Sequence, residues 1–250
     1  MMPQNSSYQG NKVLLYLRSG LLFILTLLLA LLVGLLVMIT APLPFSMSYK
    51  CAGLWNHSVT WLAKVLCGID YQITGLENLP ADGNAVVLCK HQSAWETIAL
   101  YTILPPQVFV LKRELLHLPI WGWAMKVLKP IAINREKPKQ ALQQLISEGT
   151  ARLNEGLWVI IFPEGTRAAP KEKLKFNAGG SLLAQRAGYP IIPIAHNAGH
   201  FWPRYSFLKY PGIIQIHIGS MIETNGRKAS EINAEAEAWM TAEMQKIEST

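Results

Sequence analysis

A long uncharged segment near the N-terminus constrains the fold of this 250-residue chain more than any other feature. No charged residue occurs from Ser19 to Tyr49, and its centre, Leu21 to Ile39, is almost entirely Leu, Ile, Val, Phe and Ala. About 20 such residues match the hydrocarbon thickness of a bilayer. A cleaved signal peptide would have a shorter apolar region followed by small residues, and Thr40-Ala41-Pro42 is a poor cleavage site. The segment therefore predicts a hydrophobic membrane helix over residues 12–40.

A second helical stretch follows directly, because Pro42 and Pro44 end the first helix. It covers residues 45–67 and carries Trp and Lys residues of the kind that anchor helices at membrane interfaces. We expect this stretch to lie at the membrane surface or to return as the second arm of a hairpin. Together the two stretches predict an N-terminal membrane anchor over residues 1–68 and a globular domain over residues 69–250.

Charge and cysteine content narrow the class of protein. The net charge of +7 suits nucleic-acid binding, anionic lipid or phosphorylated substrates, but no basic run is interleaved with aromatic residues, which disfavours nucleic acid. Half of the residues are hydrophobic. Cys51, Cys67 and Cys89 are an odd number without a CxxC pair, so they predict neither a disulfide framework nor a zinc site. We expect reduced thiols, and hence a domain that faces the cytoplasm.

The globular part alternates short apolar runs with helical patterns. Runs typical of buried strands cover residues 71–75, 85–89, 108–111, 158–162, 191–195 and 213–218, with a shorter one around 132–133. Helical patterns cover residues 94–103, 118–128, 138–154, 178–187 and 230–247. Strands that alternate with helices predict an α/β fold with a largely parallel sheet flanked by helices.

Two polar residues follow the strand over residues 85–89. His91 lies just beyond the carboxyl end of that strand, where open α/β sheets place their sites, and Glu96 follows five residues later. A carboxylate in the first turn of the next helix could hold one imidazole nitrogen and leave the other to take a proton. The alternative is structural, because Ser93 and Glu96 also have the spacing of a helix capping box.

Basic and polar residues follow three further strands. Glu164, Gly165, Thr166 and Arg167 come after the strand over residues 158–162. Lys112 follows the strand over 108–111, and Arg135 follows the short strand near 132–133. Each cluster alone is typical of a solvated turn. Their convergence at one sheet edge predicts a site for an anionic substrate.

These segments resemble the motifs of the glycerolipid acyltransferases, in particular the bacterial 1-acyl-glycerol-3-phosphate acyltransferases. The first motif is a His, four residues and an acid, here His91 to Glu96, with Glu in place of the usual Asp. The third motif matches in full from Phe162 to Arg167, and the fourth matches at Ile192-Pro193-Ile194. The second motif keeps Ile133 and Arg135 but has Lys and Ala where Gly and Phe are common.

The resemblance implies a direct acyl transfer that yields phosphatidic acid. His91, oriented by Glu96, would take the proton from the sn-2 hydroxyl of 1-acyl-glycerol-3-phosphate as it attacks a thioester. The donor would be acyl-CoA or acyl carrier protein, with no metal and no cofactor. The acceptor's phosphate and glycerol would be bound by Lys112, Arg135, Glu164, Gly165, Thr166 and Arg167.

Three alternatives remain open from the sequence. Cys89 lies two residues before His91, on the same side of an extended strand, and a Cys–His pair could form an acyl-enzyme. The acceptor could instead be another lyso-lipid, such as lyso-ornithine lipid. The chain could also be a lipid-binding membrane protein without catalytic activity.

Overall fold

The computed structural model describes residues 8–249, so residues 1–7 of the predicted anchor and residue 250 of the predicted globular domain lie outside it. Its helices are α1 (Lys12–Ile39), α2 (Phe45–Cys67), α3 (Trp95–Ile103), α4 (Trp121–Val127), α5 (Pro138–Asn154), α6 (Gly179–Ala187) and α7 (Ala229–Ser249). Its strands are β1 (Ile69–Thr74), β2 (Val86–Cys89), β3 (Gln107–Lys112), β4 (Ile131–Ile133), β5 (Trp158–Ile161), β6 (Ile191–His196) and β7 (Gly212–Ile218).

The seven strands form one mostly parallel sheet in the order β1-β7-β6-β2-β5-β3-β4. The five strands from β6 to β4 are all parallel, whereas β7 runs antiparallel to β6 and β1 runs parallel to β7. The predicted fold class is therefore confirmed. Every residue of β2, β5 and β6 is buried, as expected for strands covered by helices on both faces. The carboxyl ends of the five parallel strands consequently meet at one edge of the sheet.

The two N-terminal helices form an antiparallel hairpin. Trp55 Nε1 donates to the carbonyl of Thr26 at 3.1 Å, and Ser48 Oγ donates to the carbonyl of Thr40 at 3.0 Å near the turn. The second stretch thus forms the returning arm of a hairpin. By length and composition, α1 is able to cross a membrane.

The hairpin also packs onto the α/β domain. Leu22 of α1 and Ala63 and Cys67 of α2 belong to the main hydrophobic core, together with Val87 and Ile194 from the centre of the sheet. Most of the rest of α1 turns large apolar side chains outward, including Val13, Leu17, Phe23, Ile24, Leu27, Leu28, Leu32 and Ile39. The hairpin therefore has one face in the protein core and an apolar face that no other part of the described chain covers.

The largest departure from the predicted elements is α4, which begins at Trp121 and not at Leu118. The residues ahead of it, Arg113–His117, form a short 3-10 helix. Ile120 has φ of 62° and ψ of −64° and lies at the centre of a tight turn in which Trp121 N donates to the carbonyl of Pro119 at 2.7 Å, so regular helix begins only at Trp121.

Candidate active site

The carboxylate of Glu96 holds the loop that carries His91. One oxygen, Oε1, accepts from His91 Nδ1 at 2.7 Å and from the backbone N–H groups of Gln92 and Ser93 at 2.9 and 2.8 Å. Ser93 Oγ in turn accepts from Trp95 N at 3.0 Å, so the Glu96 half of a capping box is present while the Ser93 hydroxyl binds the N–H two residues on, not three. The same oxygen atom thus contacts both the imidazole and the backbone at the start of α3, and the orienting role of Glu96 in catalysis stays a prediction.

This contact fixes the tautomer of His91. A carboxylate oxygen only accepts hydrogen bonds, so Nδ1 carries a proton, and in the neutral imidazole the lone pair lies on Nε2. Burial raises the pKa of Glu96, but the hydrogen bonds from His91 and the Ser93 N–H help to hold that pKa below its ordinary value. Glu96 is thus ionised at neutral pH. The His91 ring also stacks on Phe162, with ring centroids 4.0 Å apart and an interplanar angle of 16°.

His91 lines a cavity of about 380 Å³ that we call the active-site cavity. The cavity follows β3 from Lys112 back to Gln107, a distance of about 17 Å at the rise of an extended strand. Helices α1, α2 and α4 enclose it away from the sheet edge, mostly with apolar side chains: Ala30, Val33, Val37, Ala52, Ala124, Met125 and Leu128. The cavity therefore joins a polar catalytic edge to an apolar interior.

Five of the six predicted binding residues line this cavity with His91: Lys112, Arg135, Gly165, Thr166 and Arg167. The cations come from three different strand ends, as the convergence of motifs predicts. Arg135 donates to the carbonyl of Gly165 at 2.5 Å, which ties the ends of β4 and β5 together. Gly165 itself has φ of 68°, a backbone conformation that favours glycine, and it turns the chain sharply after β5.

The sixth predicted residue, Glu164, points into the protein. Its carboxylate is fully buried, with Oε1 paired to Lys90 Nζ and Oε2 accepting from the backbone N–H of His91 at 2.8 Å. Burial raises the pKa of Glu164, and Lys90 and the His91 N–H oppose that effect only in part. Its contact with the glycerol of an acceptor stays a prediction, as do the individual roles of the five residues in the cavity.

The structure adds three residues to the site that the sequence analysis did not single out. Phe162 stacks on His91, Lys90 pairs with Glu164, and His196 lies with Nε2 at 4.0 Å from Glu96 Oε2. All three stand at the carboxyl end of a buried apolar run. A lysine and a histidine at that position were signals that sequence reasoning could have used.

Cys89 is a packed core thiol. Its side chain is fully buried, and Sγ donates to the carbonyl of Lys90 at 3.3 Å. Burial raises the pKa of this thiol well above its ordinary value, with Glu96 and Glu164 adding to the rise. A buried, protonated thiol is a poor nucleophile, so the geometry disfavours the acyl-enzyme alternative.

Comparison with known proteins identifies the family. The family model described as Acyltransferase matches residues 70–197, the segment that holds His91, Glu96, Arg135 and Arg167. The chain belongs to the acyltransferase family. A 1-acyl-sn-glycerol-3-phosphate acyltransferase from Pseudomonas aeruginosa is 47% identical over 219 residues, covering 86% of this chain and 85% of the relative.

More distant acyltransferases agree with this assignment. Human 1-acyl-sn-glycerol-3-phosphate acyltransferase beta is 28% identical over 173 residues, covering 68% of this chain and 62% of the relative. The crystal structure of the 1-acyl-sn-glycerophosphate (LPA) acyltransferase PlsC from Thermotoga maritima has the same fold, with a TM-score of 0.80. That match covers 96% of this chain and 98% of the other at 20% identity, and it therefore supports the fold alone.

Proposed function

We propose that this acyltransferase transfers an acyl group from a thioester to the sn-2 hydroxyl of 1-acyl-glycerol-3-phosphate and so makes phosphatidic acid. One observation carries the proposal: the active-site cavity presents a His91 Nε2 lone pair and three cations at its polar edge and an apolar interior behind them. An acceptor with a hydroxyl, a phosphate and a fatty chain has all three complementary features. The name of the relative from Pseudomonas aeruginosa supports the same acceptor.

His91 acts as the general base in this proposal. Its Nε2 removes the proton from the acceptor hydroxyl while that oxygen attacks the thioester carbonyl carbon. The new ester bond forms as the carbon–sulfur bond breaks, and the imidazolium returns its proton to the leaving thiolate. Glu96 stabilises the imidazolium through Nδ1, at a distance of 2.7 Å and in a buried setting where the interaction is strong.

The phosphate is bound by the cations that surround the same cavity. Arg167 offers a planar fork that suits a phosphate monoester, which carries close to two negative charges at neutral pH. Arg135 and Lys112 approach from the ends of β4 and β3 and add positive charge. A phosphate-free acceptor such as lyso-ornithine lipid would not supply the nearly two negative charges that this concentration of cations suits.

The N-terminal hairpin brings this site to its lipid substrates. The exposed apolar face of α1 suits a bilayer, and residues of α1 and α2 also line the active-site cavity. We infer that the hairpin anchors the enzyme in the inner membrane, with the α/β domain in the cytoplasm where acyl-CoA and acyl carrier protein are available.

The test is an assay of the purified, detergent-solubilised protein. Lysophosphatidic acid and lyso-ornithine lipid are each offered with acyl-CoA and with acyl carrier protein as donor, and His91→Ala is the control. We expect turnover of lysophosphatidic acid that falls at least about a hundredfold in His91→Ala. A preference for lyso-ornithine lipid would reassign the acceptor, and the absence of turnover in all four combinations would favour a lipid-binding protein without activity.

A further inference from the structure

A buried ion pair lies directly behind His91, outside the group of residues that line the active-site cavity. Lys90 Nζ contacts Glu164 Oε1, and the two side chains are 9% and 0% exposed. Removing two charges from water is costly, so a buried ion pair calls for an explanation beyond stability. Neither the general base nor the phosphate-binding cations of the proposed function require it.

The second oxygen of Glu164 shows what the pair holds. Oε2 accepts from the backbone N–H of His91 at 2.8 Å, so the carboxylate links Lys90 on one side to His91 on the other. Glu164 follows β5 and Lys90 follows β2, and these two strands are neighbours in the sheet. The pair therefore ties the loop that carries His91 to the end of the adjacent strand.

The backbone of Lys90 makes the corresponding contacts to the other neighbour, β6. Its N–H donates to the carbonyl of Ile194 at 2.9 Å, and its carbonyl accepts from His196 Nε2 at 2.8 Å. His196 Nδ1 accepts from Ala198 N at 3.2 Å, so this buried imidazole is neutral and serves as a fixed spacer. Contacts from the ends of β5 and β6 thus hold the peptide units on both sides of Lys90, the second of which leads into His91.

We propose that Lys90 and Glu164 form a positioning pair that fixes the backbone of His91, and that Glu164 acts through the His91 N–H and not as a ligand of the acceptor. The proposal rests on the proposed function in one respect, the role of His91 as base. The peptide on the other side of His91 is held as well, because its carbonyl accepts from Ala168 N at 2.7 Å. With Nδ1 bound to Glu96 and the ring stacked on Phe162, the backbone contact to Glu164 completes the alignment of Nε2.

Two double variants separate this role from a general stabilising one. Lys90→Met/Glu164→Gln and Lys90→Met/Glu164→Leu both remove the two charges together, so neither leaves an unpaired buried ion. They differ in one feature, because the Gln carbonyl can still accept the His91 N–H and Leu cannot. Arg227→Met/Glu235→Leu is the matched control, because it removes an exposed cation–carboxylate pair that does not line the cavity.

We expect kcat of Lys90→Met/Glu164→Leu to be at least about tenfold below that of Lys90→Met/Glu164→Gln, since an unmet buried donor relaxes the His91 loop and small misplacements slow chemistry strongly. The KM for the acceptor should change by no more than about twofold in either variant, because neither side chain is proposed to contact it. The control variant should retain wild-type kcat. Melting temperatures verify that each variant is folded.

Two results would overturn the proposal. Equal kcat values in the two double variants would show that the pair serves stability alone. A KM for the acceptor raised about tenfold in both, with kcat retained, would make Glu164 a ligand of the acceptor. If the Leu variant does not fold, the KM for the acceptor is measured on the single Glu164→Gln variant. A roughly tenfold rise with kcat retained would again make Glu164 a ligand of the acceptor. All rates are measured on whichever acceptor the wild-type enzyme uses, so a wrong acceptor in the proposed function does not affect the comparison.

Discussion

Neutralising Glu96 while keeping its shape should slow the enzyme moderately. In Glu96→Gln the amide has two orientations, but the N–H groups of Gln92 and Ser93 both point at the Oε1 position. The amide oxygen must occupy the Oε1 position, because an amide NH₂ group in that position is a donor and could not accept from the two backbone N–H groups. The His91 Nδ1 proton therefore keeps an acceptor, and the tautomer with a free Nε2 is preserved.

The magnitude follows from the change in one hydrogen bond. A hydrogen bond to a charged group contributes about 1.5–3 kcal/mol and a neutral one about 0.5–1.5 kcal/mol, so the imidazolium loses about 1–2 kcal/mol of stabilisation. That loss corresponds to about 5–30-fold in kcat. Glu96→Leu, which removes the acceptor for all three donors, should lose about a hundredfold or more and melt at a lower temperature.

The assay is kcat at saturating acceptor and donor, with the melting temperature measured on the same preparations. A loss of about a thousandfold or more in Glu96→Gln would show that the amide has turned and stabilised the wrong tautomer. Unchanged kcat would show that the charge of Glu96 contributes nothing to the imidazolium. Either outcome would refute the reasoning from the three donors.

Four further outcomes test other parts of the structure. Cys89→Ala should remain active, and mass spectrometry should detect no acyl group on the wild-type thiol, because Cys89 is fully buried. Arg167→Lys should lower kcat/KM for lysophosphatidic acid about tenfold or more and affect a phosphate-free acceptor much less, since Lys lacks the bidentate fork. Because the pKa of Glu96 is depressed below 4.5, its stabilisation is present above that pH and is lost as the pH falls through the folded-state pKa. The melting-temperature difference between wild type and Glu96→Gln should accordingly shrink below about pH 4.5. Leu28→Lys should reduce the membrane-bound fraction measured by sedimentation relative to Leu28→Ala, because a charge at a helix centre opposes insertion by about 2.5–3.5 kcal/mol.

Most of the fold was predictable because its central strands β2, β5 and β6 are buried on both faces and appear in the sequence as plain apolar runs. The run over residues 158–162 became β5 with a one-residue difference, and the helix predicted over residues 12–40 became α1 with a one-residue difference. The start of α4 was not predictable, because a positive φ at an isoleucine such as Ile120 is rare and local propensity gives no signal for it. The reversal between β6 and β7 likewise has no signature in an apolar run.

The position of a site residue was predictable where a charged side chain directly follows a strand and faces the cavity. It was not predictable where the side chain points into the protein. Lys112, Arg135 and Arg167 converge on one cavity, as their positions at the ends of parallel strands predict. The direction of Glu164 was not readable from its motif, since a residue in a turn after a strand can face either way. Its carboxylate points inward to pair with Lys90, and the burial of Lys90 is visible only in the packed structure.

The glutamate at position 96 also explains how the motif tolerates an acid one methylene longer than Asp. Glu96 lies in the first turn of α3, and its side chain reaches back over Ser93 to His91. A longer side chain suits that path, because the capping-box geometry itself uses Glu or Gln three residues after the cap. The helix cap and the imidazole contact therefore share one oxygen and one side-chain conformation. It follows that shortening Glu96 should weaken both the start of α3 and the contact to His91. Neutralising Glu96 should remove only the charge that stabilises the imidazolium, because the amide oxygen can still accept the backbone N–H groups.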